Sequence, residues 1–193
     1  MNSSKRASAG HGGAGRPGRV RIVGGSLRSR LIDVPAREGL RPTPDRVRET
    51  LFNWLGQELD GLACLDLFAG SGALGFEAAS RGAARVVMVE GDAVAAEALR
   101  ENRERLGASR VEVVRSDALA YLDGPPAPFD VVFLDPPFRQ NLVPAVVARL
   151  PRWLAGGARL YVEAPQALDI EGWSVMKRGR AGQVRFQLMM QQT

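Results

Sequence analysis

The chain contains one cysteine, Cys64, and one histidine, His11. A lone cysteine closes no internal disulfide, which agrees with a reducing compartment. Cys64 lies inside an apolar run, where a buried core side chain is expected rather than a nucleophile. His11 lies in a loose polar stretch, so neither histidine catalysis nor a zinc site is expected, and no metal at all. No apolar run approaches the roughly 18 residues of a membrane helix. The first residues, polar and rich in Gly, Ser and Arg, lack the apolar segment of a signal peptide. These absences point to a cytoplasmic protein that touches no membrane. There is no internal repeat.

What is present is charge, unevenly spread. The net formal charge is +5. Residues 1–50 hold 11 Lys or Arg and 4 Asp or Glu, a net of +7, so the other 143 residues carry −2. A basic segment on a near-neutral body suggests a polyanion such as nucleic acid. Coding bias toward arginine and a merely solvated tail are the plain alternatives.

Residues 1–19 read as a disordered basic tail. Residues 20–56 read as an N-terminal ribbon and helix. In the ribbon, Val20–Gly25 and Arg28–Pro35 pair across Gly24-Gly25. Arg21, Arg28 and Arg30 would cluster there. Gly39-Leu40-Arg41-Pro42-Thr43-Pro44 leads into a helix with Thr43 as N-cap and Pro44 as its first residue. Val47, Leu51, Trp54 and Leu55 form its apolar face. Arg46, Arg48 and Asn53 fall largely off that face, either solvated or in contact with phosphates.

Residues 57–193 alternate strand and helix. Strands are expected at 62–67, 85–90, 111–115, 129–134 and 158–163. Helices are expected at 73–80, 93–106 and 141–154, and 173–177 with 183–190 should form a closing hairpin. Such alternation predicts an α/β, Rossmann-like, doubly wound, mostly parallel sheet with a C-terminal antiparallel hairpin.

The stretch from Leu65 to Gly75 organises this body. A buried strand ends in a glycine-rich turn that opens a helix, so backbone N–H groups and a positive dipole end face a ligand. Gly70, Gly72 and Gly75 spell G-x-G-x-x-G, a weak signal alone. Asp66 and Glu90 sit at the ends of strands one and two, and Asp117 and Asp135 follow strands three and four. The carboxyl ends of parallel strands share one edge, so these acids converge. Glu90 suits two ribose hydroxyls. Asp135-Pro136-Pro137-Phe138 is the most informative tetrapeptide. Its two prolines fix the backbone and hold carbonyls rigid. A carboxylate, a fixed carbonyl and an aromatic ring suit a planar amino group. A proline turn capped by a core phenylalanine is the alternative.

These motifs resemble class I S-adenosylmethionine-dependent methyltransferases that act on amino groups. Arg21–Gly25, Gly39–Thr43, Asp45–Leu55 and Leu65–Gly72 resemble, more narrowly, the RsmD family of 16S ribosomal RNA guanine-N2 methyltransferases. The resemblance covers residue 20 to the C-terminus. It implies a class I fold and S-adenosyl-L-methionine as cofactor, held by Asp66, Phe68, Ala69, Gly70, Ser71, Gly72, Glu90, Gly91, Asp117 and Ala118. It implies catalysis by Asp135, Pro136, Pro137 and Phe138, with Phe138 stacking on the base. Arg21, Arg28, Arg30, Arg41 and Arg46 would hold RNA. The expected partner is 16S ribosomal RNA in a small-subunit assembly particle, met by a monomer. Three rivals stay open at this stage. A nicotinamide oxidoreductase leaves the tetrapeptide unexplained. A DNA adenine-N6 methyltransferase wants a separate target-recognition region. A non-catalytic RNA-binding protein wants a damaged cofactor site.

Overall fold

The computed structural model describes residues 18–37, 40, 43–137 and 140–192. The tail expected over residues 1–19 lies outside them up to residue 17, as do His11, Arg41 and Phe138.

The ribbon is β1 (Gly18–Arg21) antiparallel to β2 (Leu31–Val34). Then come α1 (Asp45–Leu55), β3 (Ala63–Asp66), α2 (Ala73–Ser80), β4 (Arg85–Glu90), α3 (Ala93–Leu106) and β5 (Val111–Arg115). The chain continues with α4 (Ala118–Leu122), β6 (Phe129–Leu134), α5 (Val143–Val147), a 3-10 turn (Leu150–Trp153), β7 (Leu154–Ala164), β8 (Trp173–Ala181) and β9 (Val184–Gln191). The main sheet runs β5-β4-β3-β6-β7-β9-β8, with β9 antiparallel to both neighbours and the other pairings parallel. From β3 the chain winds outward through β4 to β5, then returns to the other side as β6. That reversal opens a crevice at the carboxyl ends of β3 and β6.

Two cores sandwich the sheet. Val47, Leu51, Phe52 and Leu55 of α1, Phe76 of α2 and Leu99 of α3 cover one face with Cys64, Phe133, Tyr161 and Phe186. Leu122, Val146, Leu150 and Trp153 cover the other with Leu65, Val132, Leu160 and Met189. Val20, Ile22, Ile32 and Val34 of the ribbon join the first core, so ribbon and α1 share the body's interior.

Several expectations change. Pro44, with extended backbone at φ −56° and ψ 147°, is the N-cap of α1, and it has no side-chain cap bond. Thr43 is not the cap, because its hydroxyl is drawn 3.4 Å from Glu163 Oε1. Arg48 is neither solvated nor free for phosphates. It is fully buried, pairing with Glu77 at 3.3 Å and Asp45 at 2.6 Å and donating to the Arg21 carbonyl. It sits beside Val47 and Phe52 on the buried face, opposite an acid of α2. The helix expected over 141–154 is α5 plus the 3-10 turn, and the next strand starts earlier, at Leu154. The short α4 was not anticipated.

Candidate active site

Glycine is required in the turn between β3 and α2. Gly72 takes φ 77°, and a Cβ there would lie 2.5 Å from Leu99 and 2.8 Å from Phe76. The turn is tied from two sides. Asp66 Oδ2 accepts from the Gly75 amide at 3.2 Å. Glu90 Oε2 accepts from Gly70 N at 2.8 Å, and Glu90 Oε1 from Asp92 N at 2.7 Å. Glu90 is therefore oriented by the loops it connects, with lone pairs left for hydroxyl donors. Asp66 is buried and holds the turn rather than lining an open cleft. Burial pushes its carboxyl up to about 7, outweighing the Gly75 and Phe68 amides that favour the anion.

Asp117 caps α4, accepting from Leu119 N at 2.9 Å and Ala120 N at 3.0 Å. Asp92 does the same for α3. Its carboxylate also pairs with Arg37, whose Nε lies 3.1 Å away. The Arg37 guanidinium holds the Asp92 carboxyl below the usual range. Leu40 lies against Gly70. Arg37 and Leu40 thus bring the segment after β2 across the glycine turn, a placement that sequence reading missed.

Asp135 and the buried Pro136 stand at the end of β6. Leu134 pairs with Val162 of β7, which puts Glu163 on the strand end beside Asp135. Glu163 Oε1 accepts from the Tyr161 hydroxyl at 2.8 Å as well as from Thr43. Burial first, then the Glu163 and Asp66 carboxylates, raise the Asp135 pKa well above the ordinary range. Burial raises Glu163 too, against the pull of the Tyr161 and Thr43 hydroxyls. Asp66, Asp135 and Glu163 occupy three neighbouring strands, and no cation pairs with any of them among the described residues. A row of carboxyl groups whose charged form burial disfavours fits a cationic sulfonium or an amino group that donates hydrogens, since either favours the carboxylate. The acids expected at the strand ends therefore share one edge, and Glu163, Tyr161 and Thr43 join them. An acid ending the fifth expected strand was the available signal for Glu163.

Cys64 is fully buried, and burial pushes its thiol up to about 12, so it stays an inert core residue. The expected RNA-contacting arginines separate. Arg21 lies 3.5 Å from Asp45, and Arg46 is exposed in the first turn of α1, both at the carboxyl edge. Arg28 lies in the ribbon's far turn, which docks on Ser80 at the end of α2, and Arg30 donates to the Arg105 carbonyl. Those two lie toward the opposite edge. No helix among the described residues is long and apolar enough to cross a membrane.

Residues 20–190 match the family described as Conserved hypothetical protein 95. Ribosomal RNA small subunit methyltransferase D of Escherichia coli K12 is 43% identical over 184 residues, 92% of this chain and 91% of the relative. The protein of the same name from Haemophilus influenzae is 43% identical over 180 residues, 89% of this chain and 93% of the relative. The chain belongs to the RsmD family of ribosomal RNA methyltransferases. The solved yhhF structure from Escherichia coli superposes with a TM-score of 0.83 at 42% identity, covering 91% of this chain and 99% of that one. An RNA methyltransferase from Salinibacter ruber, solved with S-adenosyl-L-homocysteine, shares the fold at a TM-score of 0.61 and 20% identity, covering 79% of this chain and 94% of that one.

Proposed function

We propose that this protein transfers a methyl group from S-adenosyl-L-methionine to the exocyclic N2 amino group of a guanine in 16S ribosomal RNA. The observation that carries this reading is the row of Asp66, Asp135 and Glu163, paired with no cation among the described residues, beside the proline-fixed backbone at Pro136. The names of the family's curated relatives support the RNA.

The residues divide the work. The glycine turn, with Phe68, Ala69, Gly70, Ser71 and Gly72, cradles the cofactor's amino-acid end. Glu90 and Gly91 would take the ribose, and Asp117 and Ala118 would border the adenine. When bound, S-adenosylmethionine supplies an electrophilic methyl on a sulfonium. The guanine amino nitrogen is a poor nucleophile because its lone pair is delocalised into the ring. The Asp135 carboxylate and the Pro136 carbonyl accept its two hydrogens and favour a tetrahedral nitrogen. The positive charge that develops there faces a preorganised anion. Alignment in the crevice supplies much of the rest. Splaying the base out costs a few kcal/mol, and stacking on Phe138 returns about 1–3 kcal/mol. The Asp135–Glu163 pair, which burial makes basic, stands where the nitrogen loses its proton. Residues 20–56 face the RNA through Arg21, Arg41 and Arg46, and Arg28 and Arg30 extend that contact along the ribbon. The substrate is a guanine within a small-subunit assembly particle, and the enzyme acts as a monomer.

The test incubates the protein with labelled S-adenosylmethionine and small-subunit RNA or its assembly particle, then maps methylated nucleotides by mass. N2-methylguanine is the expected product. Methylation of an adenine amino group, or cofactor binding without transfer, would overturn the reading.

A further inference from the structure

The last 22 residues, 172–193, hold Lys177, Arg178, Arg180 and Arg185 and no Asp or Glu. All four cations are exposed on the β8–β9 hairpin. Several other surface arginines pair with acids, as in Arg19–Asp33, Arg85–Glu112, Arg100–Glu97 and Arg149–Asp123. On the hairpin none does among the described residues. Arg180 is directly opposite Arg185 in the register, an arrangement that weakens a strand pair. Charge on an edge strand can guard against edge-to-edge association. That explanation covers β8 but not Arg185, since β9 is paired on both sides.

Geometry gives these charges a place. Arg185 is in register with Ala164, the last residue of β7, one step from Glu163. The hairpin turn therefore lies at the same carboxyl edge as Asp135, beyond Glu163 of β7. Phe186 and Leu188 face the core under α1, whereas Met189 faces the opposite core. By alternation Arg185 projects on the side away from α1, with Arg178 and Arg180 paired on that same side. At about 4.8 Å per strand, β9 and β8 stand roughly 10 and 14 Å from β6. Arg21 and Arg46 flank the carboxyl edge at α1, on the other face.

We propose that Arg178, Arg180 and Arg185 form a second RNA contact, which grips backbone phosphates flanking the target guanine from the face opposite α1. The proposal rests on the RNA methyltransferase reading. Arginine forks suit phosphate oxygens, and the phosphates relieve the Arg180–Arg185 repulsion that the free hairpin carries.

The test compares the native protein, the triple Gln variant and the triple Lys variant at positions 178, 180 and 185. RNA affinity is titrated against potassium chloride, with S-adenosylhomocysteine affinity and melting temperature measured in parallel. Three single-strand phosphate contacts contribute about 2 to the slope of log affinity against log salt, at roughly 0.7 each. The Gln variant is expected to lose that much slope, while the Lys variant keeps it. Cofactor affinity should stay native in both, and the melting temperature should stay native in the Lys variant and native or slightly higher in the Gln variant, which loses the Arg180–Arg185 repulsion. A native slope in the Gln variant, or an equal loss in the Lys variant, would overturn the second contact. So would a melting temperature lowered equally in both, since packing would then explain the loss. If native protein binds and methylates RNA while the Gln variant behaves identically, only this proposal falls. If native protein neither binds nor methylates RNA, the underlying reading falls and this one with it.

Discussion

Two carboxylates at the same edge of the sheet do different work. Asp66 ties the glycine turn, and Asp135, at the end of β6, is the group proposed to meet the target amino nitrogen. Asp135→Ala should therefore leave cofactor affinity within about tenfold, or 1.4 kcal/mol, while single-turnover methyl transfer falls at least about a hundredfold. Asp135→Asn should be milder, because an acceptor oxygen remains. Transfer by Asp135→Ala at the native rate would return the tetrapeptide to a structural turn. Asp66 makes a prediction about pH. Its carboxyl is pushed up to about 7 by burial, against about 3.9 in an unfolded chain. Between those values the folded chain holds a proton that the unfolded chain has lost. Stability should thus fall as pH rises from about 4 to 7. Asp135 and Glu163, also raised, push the same way. Asp66→Asn should make the decline shallower in urea unfolding series across that range, and an unchanged slope would contradict the role of burial.

At the scale of elements, one buried acid locks three pieces together. Glu77 of α2 accepts from Val23 N at 2.9 Å and Gly24 N at 2.8 Å, and pairs with Arg48 of α1 and with Arg81. Arg48 and Glu77 are both fully buried. Removing one partner of such a pair strands the other without water, at about 3–5 kcal/mol. Glu77→Ala should lower unfolding stability by that amount and loosen the ribbon. Hydrogen exchange at Val23 and Gly24 reads the second effect directly. If those amides stay as protected as in the native protein, Glu77 is not what docks the ribbon. The Gly25 position adds a steric condition, since a Cβ there would collide with the Ser80 carbonyl.

For the molecule as a whole, ligand binding and folding are linked. The proposed cofactor anchors stand at the ends of β3, β4 and β5, so binding there favours the assembled sheet. A ligand at a hundred times its dissociation constant adds about 2.7 kcal/mol. S-adenosylhomocysteine should therefore raise the melting temperature of the native protein. Glu90→Ala should weaken that ligand by about 1–3 kcal/mol, the consequence of leaving hydroxyls unpaired, and shrink the rise. Stabilisation by NAD with none from S-adenosylhomocysteine would refute the cofactor assignment. Among the described residues, exposed arginines stand at the carboxyl edge on both faces of the sheet. Arg21 and Arg46 lie on one face, and the hairpin arginines on the other.

The sequence by itself determined most of the elements and their order, though not α4 or the break of the 141–154 helix. β4, α2, α3, β5 and β6 run where apolar periodicity places them, because each buries its own stripe and ends at its own glycine or acid. Strand–helix alternation alone forces a parallel sheet, and a parallel sheet brings Asp66, Glu90, Asp117 and Asp135 to one edge. Periodicity says which face of an element is buried but not what it meets there. Only the tertiary structure decided that Thr43 reaches Glu163 across 120 residues of sequence, so that it is no longer available to cap α1. Only it set Arg48 against Glu77, turning an arginine that looked free for phosphates into an interior ion pair. The hairpin arginines were visible as a run of cations without acids, but their place at the carboxyl edge is fixed by the β7–β9 register. Register is a long-range pairing, settled by the packing of both sheet faces at once, and no local pattern encodes it.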